Sequence, residues 1–374
     1  VVFSTATTGI VYLFARRLFG VKGAIAAAVI CASLPFLHGM SGVDIIEPTF
    51  TFFLTAAAFL LWCAYLRSSA GYSAAAGLLM GVAYLSRSEG FISWFALTFL
   101  LIVVAATSFR TEGMRLPYRV IAPFCVGFML LFIPYLVYLH AETGIWQLSG
   151  KSALNAQVIR EYLGKANVDQ KFRLGTTGGF DEGKNESLAR LFKEEPELMK
   201  QNIMNNIKLL PVTLLEALTW YLLLAVVAGI VCAPWTARHL VARGMLIGIC
   251  SPMVIYLLFF IQPRGFYPYV AFLCIWAGGG ISVVDRMVPQ VVRRFQISLV
   301  ITAVIFAGFV YLDFPRPKPP YDYNQDGARR DDKHIGLRLK AVLPQDAVLM
   351  TRSGRIGFYS ERTYVIPPQE SFEA

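Results

Sequence analysis

Charge is what this sequence has least of. Asp, Glu, Lys and Arg together make up 16% of its 374 residues, against roughly 25% in a soluble globular protein. With hydrophobic residues at 56% and a mean hydropathy of +0.55, this shortage excludes a disordered chain and an ordinary cytosolic enzyme. Cysteine pairs are lacking too. Cys31, Cys63, Cys125, Cys232, Cys250 and Cys274 all lie in apolar stretches and form no CxxC pattern. Neither a zinc site nor a disulfide framework is readable, and the cysteines read as small buried hydrophobes. There is no internal repeat and no low-complexity run. The stretch opening Val1-Val2-Phe3 shows no charged n-region and does not read as a signal peptide. The chain reads as entered partway through a membrane span, with a preceding segment expected.

What is present is a series of long apolar runs. A bilayer core of about 30 Å takes about 20 apolar residues per helix. Ten candidate spans follow: 1–15, 23–38, 48–66, 72–86, 90–107, 120–140, 209–234, 244–261, 266–283 and 297–312. The expected fold is an all-α polytopic membrane protein over residues 1–312, followed at 313–374 by the beginning of a small external α/β domain. The net charge of +10 does not point to nucleic acid, because the basic residues sit in short clusters between apolar runs. One set of connections holds Arg16, Arg17, Lys22, Arg67, Arg110, Arg115, Arg119, Arg238, Arg243, Arg286, Arg293 and Arg294; the alternate set carries only Arg87 and Arg264 in its short members. The positive-inside rule assigns the first set to the cytoplasm. It puts the long loop 141–208 and the C-terminal segment outside. In that loop, Leu188–Lys200 reads as an amphipathic helix. The C-terminal segment opens on a proline-rich linker from Pro315, then reads as a helix near 330–342 and strands at Ala347–Met350 and Thr363–Ile366.

Ionisable groups near a membrane are costly, so their positions are informative. The span interiors are almost free of charge, and the unusual polar groups gather at the external ends. His38-Gly-Met-Ser-Gly-Val-Asp44-Ile-Ile-Glu47-Pro48 brings two carboxylates before a span, suited to a base or an electrostatic pair; equally, Pro48 and Glu47 suit a helix start. Ser86-Arg87-Ser88-Glu89-Gly90 offers a guanidinium fork for an anion, or a self-satisfied Arg–Glu turn. Gln262-Pro263-Arg264-Gly265-Phe266-Tyr267-Pro268 places one arginine among aromatics, suited to a phosphate at headgroup level or to snorkelling. His140-Ala-Glu142-Thr-Gly144-Ile-Trp146-Gln-Leu-Ser-Gly150-Lys151 has five residues between its glycines where a phosphate loop has four, so nucleotide binding is rejected. Lys151 remains a point charge for a phosphate. His38 and His140, with Asp44 or Glu142, could hold a divalent metal, or could be interfacial histidines satisfied by water; no cofactor is called beyond that.

In order, these stretches resemble the GT-C class of membrane-embedded glycosyltransferases, in the group of protein O-mannosyltransferases, aminoarabinose transferases and RgtA/B/C/D-like proteins (glycosyltransferase family 39-like). The resemblance rests on Ala15-Arg-Arg-Leu-Phe-Gly20, Ser41-Gly-Val-Asp44-Ile-Ile-Glu47-Pro48 and Gly81-Val-Ala-Tyr-Leu-Ser-Arg87-Ser-Glu89-Gly90. It extends through Thr143-Gly-Ile-Trp146-Gln-Leu-Ser-Gly-Lys151, Pro263-Arg264-Gly-Phe-Tyr267-Pro268-Tyr and Gly354-Arg-Ile-Gly-Phe-Tyr359-Ser-Glu-Arg362. It implies transfer of a sugar from a polyprenyl-phosphate carrier to an acceptor hydroxyl on a glycan, lipid or protein at the external face of a bacterial plasma membrane. It also implies an acidic residue in a loop expected upstream of Val1. On that reading Asp44 or Glu47 supports proton transfer, and Arg264, Arg87, Lys151 and Tyr267 meet the phosphate. Glu89, His38 and His140 are further polar candidates. A transporter of lipid-linked saccharides and a non-catalytic membrane scaffold are the alternatives; the first needs a charged path through the membrane, the second predicts scattered polar groups.

Overall fold

The structure, a computed structural model, describes residues 1–37, 46–112, 116–144, 146–149, 193, 196–258, 261, 263–287, 296–313, 324–350 and 354–365. His38, Asp44 and Lys151 lie outside them, as does most of the amphipathic stretch at 188–200. The chain divides into two compact units: Val1–Ser149 with Asn205–Lys318, and Gly150–Met204 with Pro319–Ala374.

The first unit is helical. Its elements are α1 (Val2–Ser33), α2 (Glu47–Arg67), α3 (Ala70–Ser86), α4 (Glu89–Glu112) and α5 (Leu116–Thr143). After these come α6 (Pro196–Leu218), which enters from the other unit, α7 (Trp220–Cys232), α8 (Ala237–Cys250), α9 (Pro252–Tyr256), α10 (Pro263–Met287) and α11 (Ile297–Gly308). The first two expected spans form one element broken at Gly20, whose φ of 80° interrupts the helix between them. α2 starts as the sequence suggested: Pro48 stands in its first turn beside Glu47, and Arg67 closes its last turn. Each charge thus complements the helix dipole. The expected eighth span divides at Ser251–Pro252, where proline cannot continue the hydrogen-bond ladder.

Five described stretches are long and apolar enough to cross a membrane: Glu47–Arg67, Glu89–Thr107, Arg119–Thr143, Ala237–Tyr256 and Arg264–Asp285. A sixth arises if Pro196–Leu215 and Trp220–Cys232 form one bent span, and Ala70–Ser86 and Ile297–Tyr311 are shorter apolar helices. Thr219, at φ 60° and ψ 151°, is the break in the bent pair.

The core forms around α10, of whose span 89% is buried. It packs against α1, α7 and α2, while α3 packs between α2 and α5. Small residues permit these contacts: a Cβ on Gly280 would collide with the Ala225 carbonyl, and one on Gly229 with the Trp276 carbonyl. Close backbone approach of this kind supplies van der Waals contact where lipid gives helices no hydrophobic drive to associate. On the flank, Phe95, Phe99 and Ile102 of α4 and Val126, Leu130 and Ile133 of α5 are exposed, as lipid-facing side chains should be.

Two charges assigned to connections turn out to be structural. Arg243 was expected in a basic loop; it lies inside α8, 8% exposed. Its guanidinium donates to the carbonyls of Ile230, Ala233 and Pro234 and stacks 4.2 Å from Trp235. It thereby satisfies the orphan carbonyls at the end of α7. Lys22 is bonded to buried Asp285 at 2.7 Å, and Asp285 also accepts from Ser298 N and Oγ at the start of α11.

In the second unit, α12 (Asn324–Val342) covers the expected helix. β1 (Val348–Met350) and β2 (Thr363–Val365) pair in parallel, with α13 (Gly354–Ser360) as the crossover. Parallel pairing needs such a crossover, and the strands match the expected positions.

Candidate functional site

Polar side chains from four separate parts of the first unit meet at one end of the helices. Glu47 begins α2, Arg87 and Glu89 form the turn between α3 and α4, Tyr256 ends α9, and Arg264 lies in the first turn of α10. The turn is tight: Gly90 N bonds to the Arg87 carbonyl, and a Cβ on Gly90 would press into the Tyr84 backbone.

Arg87 is the centre. Its Nη1 donates to Glu47 Oε1 at 3.0 Å, and its Nη2 donates to Glu89 Oε1 at 2.7 Å and to the Tyr256 hydroxyl at 3.3 Å. Tyr256 in turn donates to Glu89 Oε1 at 3.1 Å. The guanidinium also stands 5.9 Å over the Phe50 ring. Burial works against its charge, but Tyr256, Glu89 and Glu47 outweigh that and raise its pKa. Arg87 is therefore a permanent cation with both ends of its fork engaged.

Arg264 is placed differently. Its Nε lies 3.8 Å from Glu47 Oε1, and its side chain is 37% exposed, while that of Glu47 is 6% exposed. One buried carboxylate is thus shared between a fully committed arginine and a loosely held one that still faces outward. Tyr267, buried one turn further along α10, sits within electrostatic reach of Glu47, and its hydroxyl lies 3.5 Å from Ser4 Oγ. Tyr269, fully buried, lies within reach of Tyr256, Glu89 and Arg87.

Of the sequence candidates, Glu47, Arg87, Glu89, Arg264 and Tyr267 therefore come together. The local Arg87–Glu89 pair exists, but the same guanidinium reaches Glu47 as well, so the turn is not closed on itself. His140 does not join them among the described contacts; its ring stacks on Trp146 at 4.2 Å. The segment after α5 folds back on α3, where the Tyr84 hydroxyl donates to the Leu148 carbonyl at 2.7 Å. Sequence reasoning missed Tyr256 and Tyr269, which stand in apolar runs. Among the described residues, no three His, Cys, Asp or Glu side chains gather to hold a metal. The apolar crevice among Phe14, Leu18, Met245, Ile249, Phe272 and Trp276 is separate from this cluster and offers it no charge.

No curated protein matches the sequence. Residues 1–143 match the family of dolichyl-phosphate-mannose-protein mannosyltransferases. Among solved structures, the fold is similar to that of ArnT from Cupriavidus metallidurans, solved bound to undecaprenyl phosphate. The TM-score is 0.53 and the identity 14%, over 98% of this chain and 71% of that one. The first 143 residues thus carry the pattern of that mannosyltransferase family, and the chain is an integral membrane protein with the fold of a GT-C class glycosyltransferase.

Proposed function

We propose that the chain acts as a glycosyltransferase that moves a sugar from a polyprenyl-phosphate carrier to an acceptor hydroxyl, with inversion at the anomeric carbon. The reaction takes place at the membrane face that bears Glu47, and the distribution of basic connections supports reading that face as the external one. The acceptor oxygen attacks the anomeric carbon, the bond from that carbon to the phosphate oxygen breaks, and its electron pair leaves with the lipid phosphate. The acceptor's proton passes to a carboxylate. No activated nucleotide is needed, because the lipid phosphate is already the leaving group.

The observation that carries this reading is the unequal pairing around Glu47. Glu47 Oε1 is already engaged by Arg87 and approached by Arg264, so the proton falls to Asp44, three residues earlier, or to another carboxylate beside it. Glu47 keeps Arg264 near the reaction without using up its charge. When the phosphate departs, Arg264 swings from its long contact to the developing negative charge, and Arg87 stays bonded to Glu47. Tyr267 and Lys151 add donors toward the same phosphate. Fixed donors aimed at developing charge are usually the largest catalytic contribution. Support for transfer over mere scaffolding comes from convergence: two of the candidate arginines share one carboxylate.

The reading is tested by transfer assays in membranes. Arg264→Ala is expected to lose about 10²–10³-fold in turnover, with Arg264→Lys recovering part of it, and Asp44→Asn is expected to lose a comparable factor. Wild-type turnover in Arg264→Ala would remove the assignment.

A further inference from the structure

We infer that the opposite end of the helices carries a site for the headgroup of an anionic phospholipid. The inference is independent of the transfer reaction. It starts from three arginines with no carboxylate partner among the described residues. Arg17 lies at the end of the first half of α1, Arg67 is the last residue of α2, and Arg238 opens α8; all three are exposed.

The fold brings them together on a fixed floor. The Arg238 guanidinium stands 5.7 Å over the ring of Trp62, which is fully buried, and its Nη2 donates to the Arg17 main-chain carbonyl. Arg17 and Arg67 both lie within electrostatic reach of Cys63, the next residue. Arg67 Nη1 donates to the Tyr72 hydroxyl at 2.8 Å, which orients its fork. Lys22 has Asp285 and Arg87 has two glutamates, yet among the described residues no carboxylate pairs with Arg17, Arg67 or Arg238. Like charges gathered without an anion repel one another, and a bound phosphate relieves that repulsion. Guanidinium forks also match phosphate oxygens in geometry.

Position makes the anion a lipid. α2 has 21 residues, which at 1.5 Å per residue is about 30 Å, the thickness of the hydrocarbon core. With Glu47 at one end of it and Arg67 at the other, the patch stands at the headgroup level of the far leaflet. Exposed aliphatic side chains flank it: Leu13, one turn before Arg17 on the same face, together with Leu66 and Leu240. Acyl chains lie along them. Basic pockets between helix ends recognise anionic headgroups in this way. If the arginines served orientation alone, any basic residue on that face would count equally.

The test uses the whole protein in neutral detergent, with lipid binding followed by native mass spectrometry. Wild type is expected to hold phosphatidylglycerol or cardiolipin at least about tenfold more tightly than phosphatidylcholine. Arg17→Gln, Arg67→Gln and Arg238→Gln should each weaken anionic-lipid binding about fivefold, and the triple variant on the order of a hundredfold. Arg119→Gln, an exposed arginine on α5, should leave it unchanged. Equal affinity for all three lipids in wild type, an equal loss in Arg119→Gln, or full displacement of the lipid by millimolar inorganic phosphate would overturn the site. Should the triple variant not fold, the wild-type preference and the single variants decide.

Discussion

Glu47 and Arg87, forty residues apart in the chain, meet at 3.0 Å, and both are largely withdrawn from solvent. Burying either charge alone would carry a large desolvation cost, which the pairing offsets. Together they bind the start of α2 to the α3–α4 turn and fix the carboxylate that Arg264 approaches.

Removing that carboxylate tests its structural share. Glu47→Ala leaves Arg87 with Glu89 and Tyr256 alone and is expected to destabilise the fold by about 1–3 kcal/mol. Glu47→Gln, which keeps an acceptor, should cost less. Thermal unfolding in detergent measures both, and equal unfolding midpoints for wild type and Glu47→Ala would show that the pair holds nothing together.

Tyr256→Phe separates position from charge. The hydroxyl accepts from Arg87 and donates to Glu89, so its loss is expected to cost about 1 kcal/mol in stability and to leave the ion pairs in place. Turnover should fall several-fold with little change in carrier KM, because the Arg87 fork loses one of its supports. A change confined to KM would place Tyr256 against the carrier instead.

Arg243→Leu is expected to be destabilising without touching the site. It strips three carbonyls near the end of α7 of their donor, and each unsatisfied group costs about 1–3 kcal/mol. A strongly lowered unfolding midpoint with carrier binding intact is the predicted pattern; an unchanged midpoint would mean that water replaces the guanidinium.

Gly280→Val tests the helix contact at the core. Its Cβ would strike the Ala225 carbonyl, so α7 has to move off α10, at a cost of roughly 1–3 kcal/mol or more for overpacking. Gly9→Ala, where a Cβ meets nothing within 4 Å, should be tolerated, and the comparison of the two midpoints checks the argument.

How legible this was in the sequence follows from where the polar residues stand. Glu47, Arg87, Glu89, Arg264 and Tyr267 sit at the edges of apolar runs, where a charge or hydroxyl has no packing reason to be, so they could be picked out singly. Their meeting could not: Arg87 and Tyr256 are 169 positions apart, and no periodicity reports such a contact. Tyr256 and Tyr269 were hidden because a tyrosine inside a hydrophobic span reads as core until its polar neighbours are seen. Arg243 and Lys22 were misread for a related reason. Near a span end, composition cannot distinguish a charge that orients the chain from one that caps a neighbouring helix. The break at Gly20 was legible as a boundary between two spans, though not as one bent helix element.

The central claim is that Arg264, held loosely by Glu47, is the cation that meets the carrier's phosphate. Titration of a polyprenyl phosphate into the purified protein, followed by phosphorus NMR, tests it most directly. Wild type and Tyr256→Phe should give a saturable shift, and Arg264→Ala should weaken the Kd by about ten- to a hundredfold, the equivalent of about 1.5–3 kcal/mol for a charged hydrogen bond. A Kd in Arg264→Ala equal to that of wild type would contradict the account.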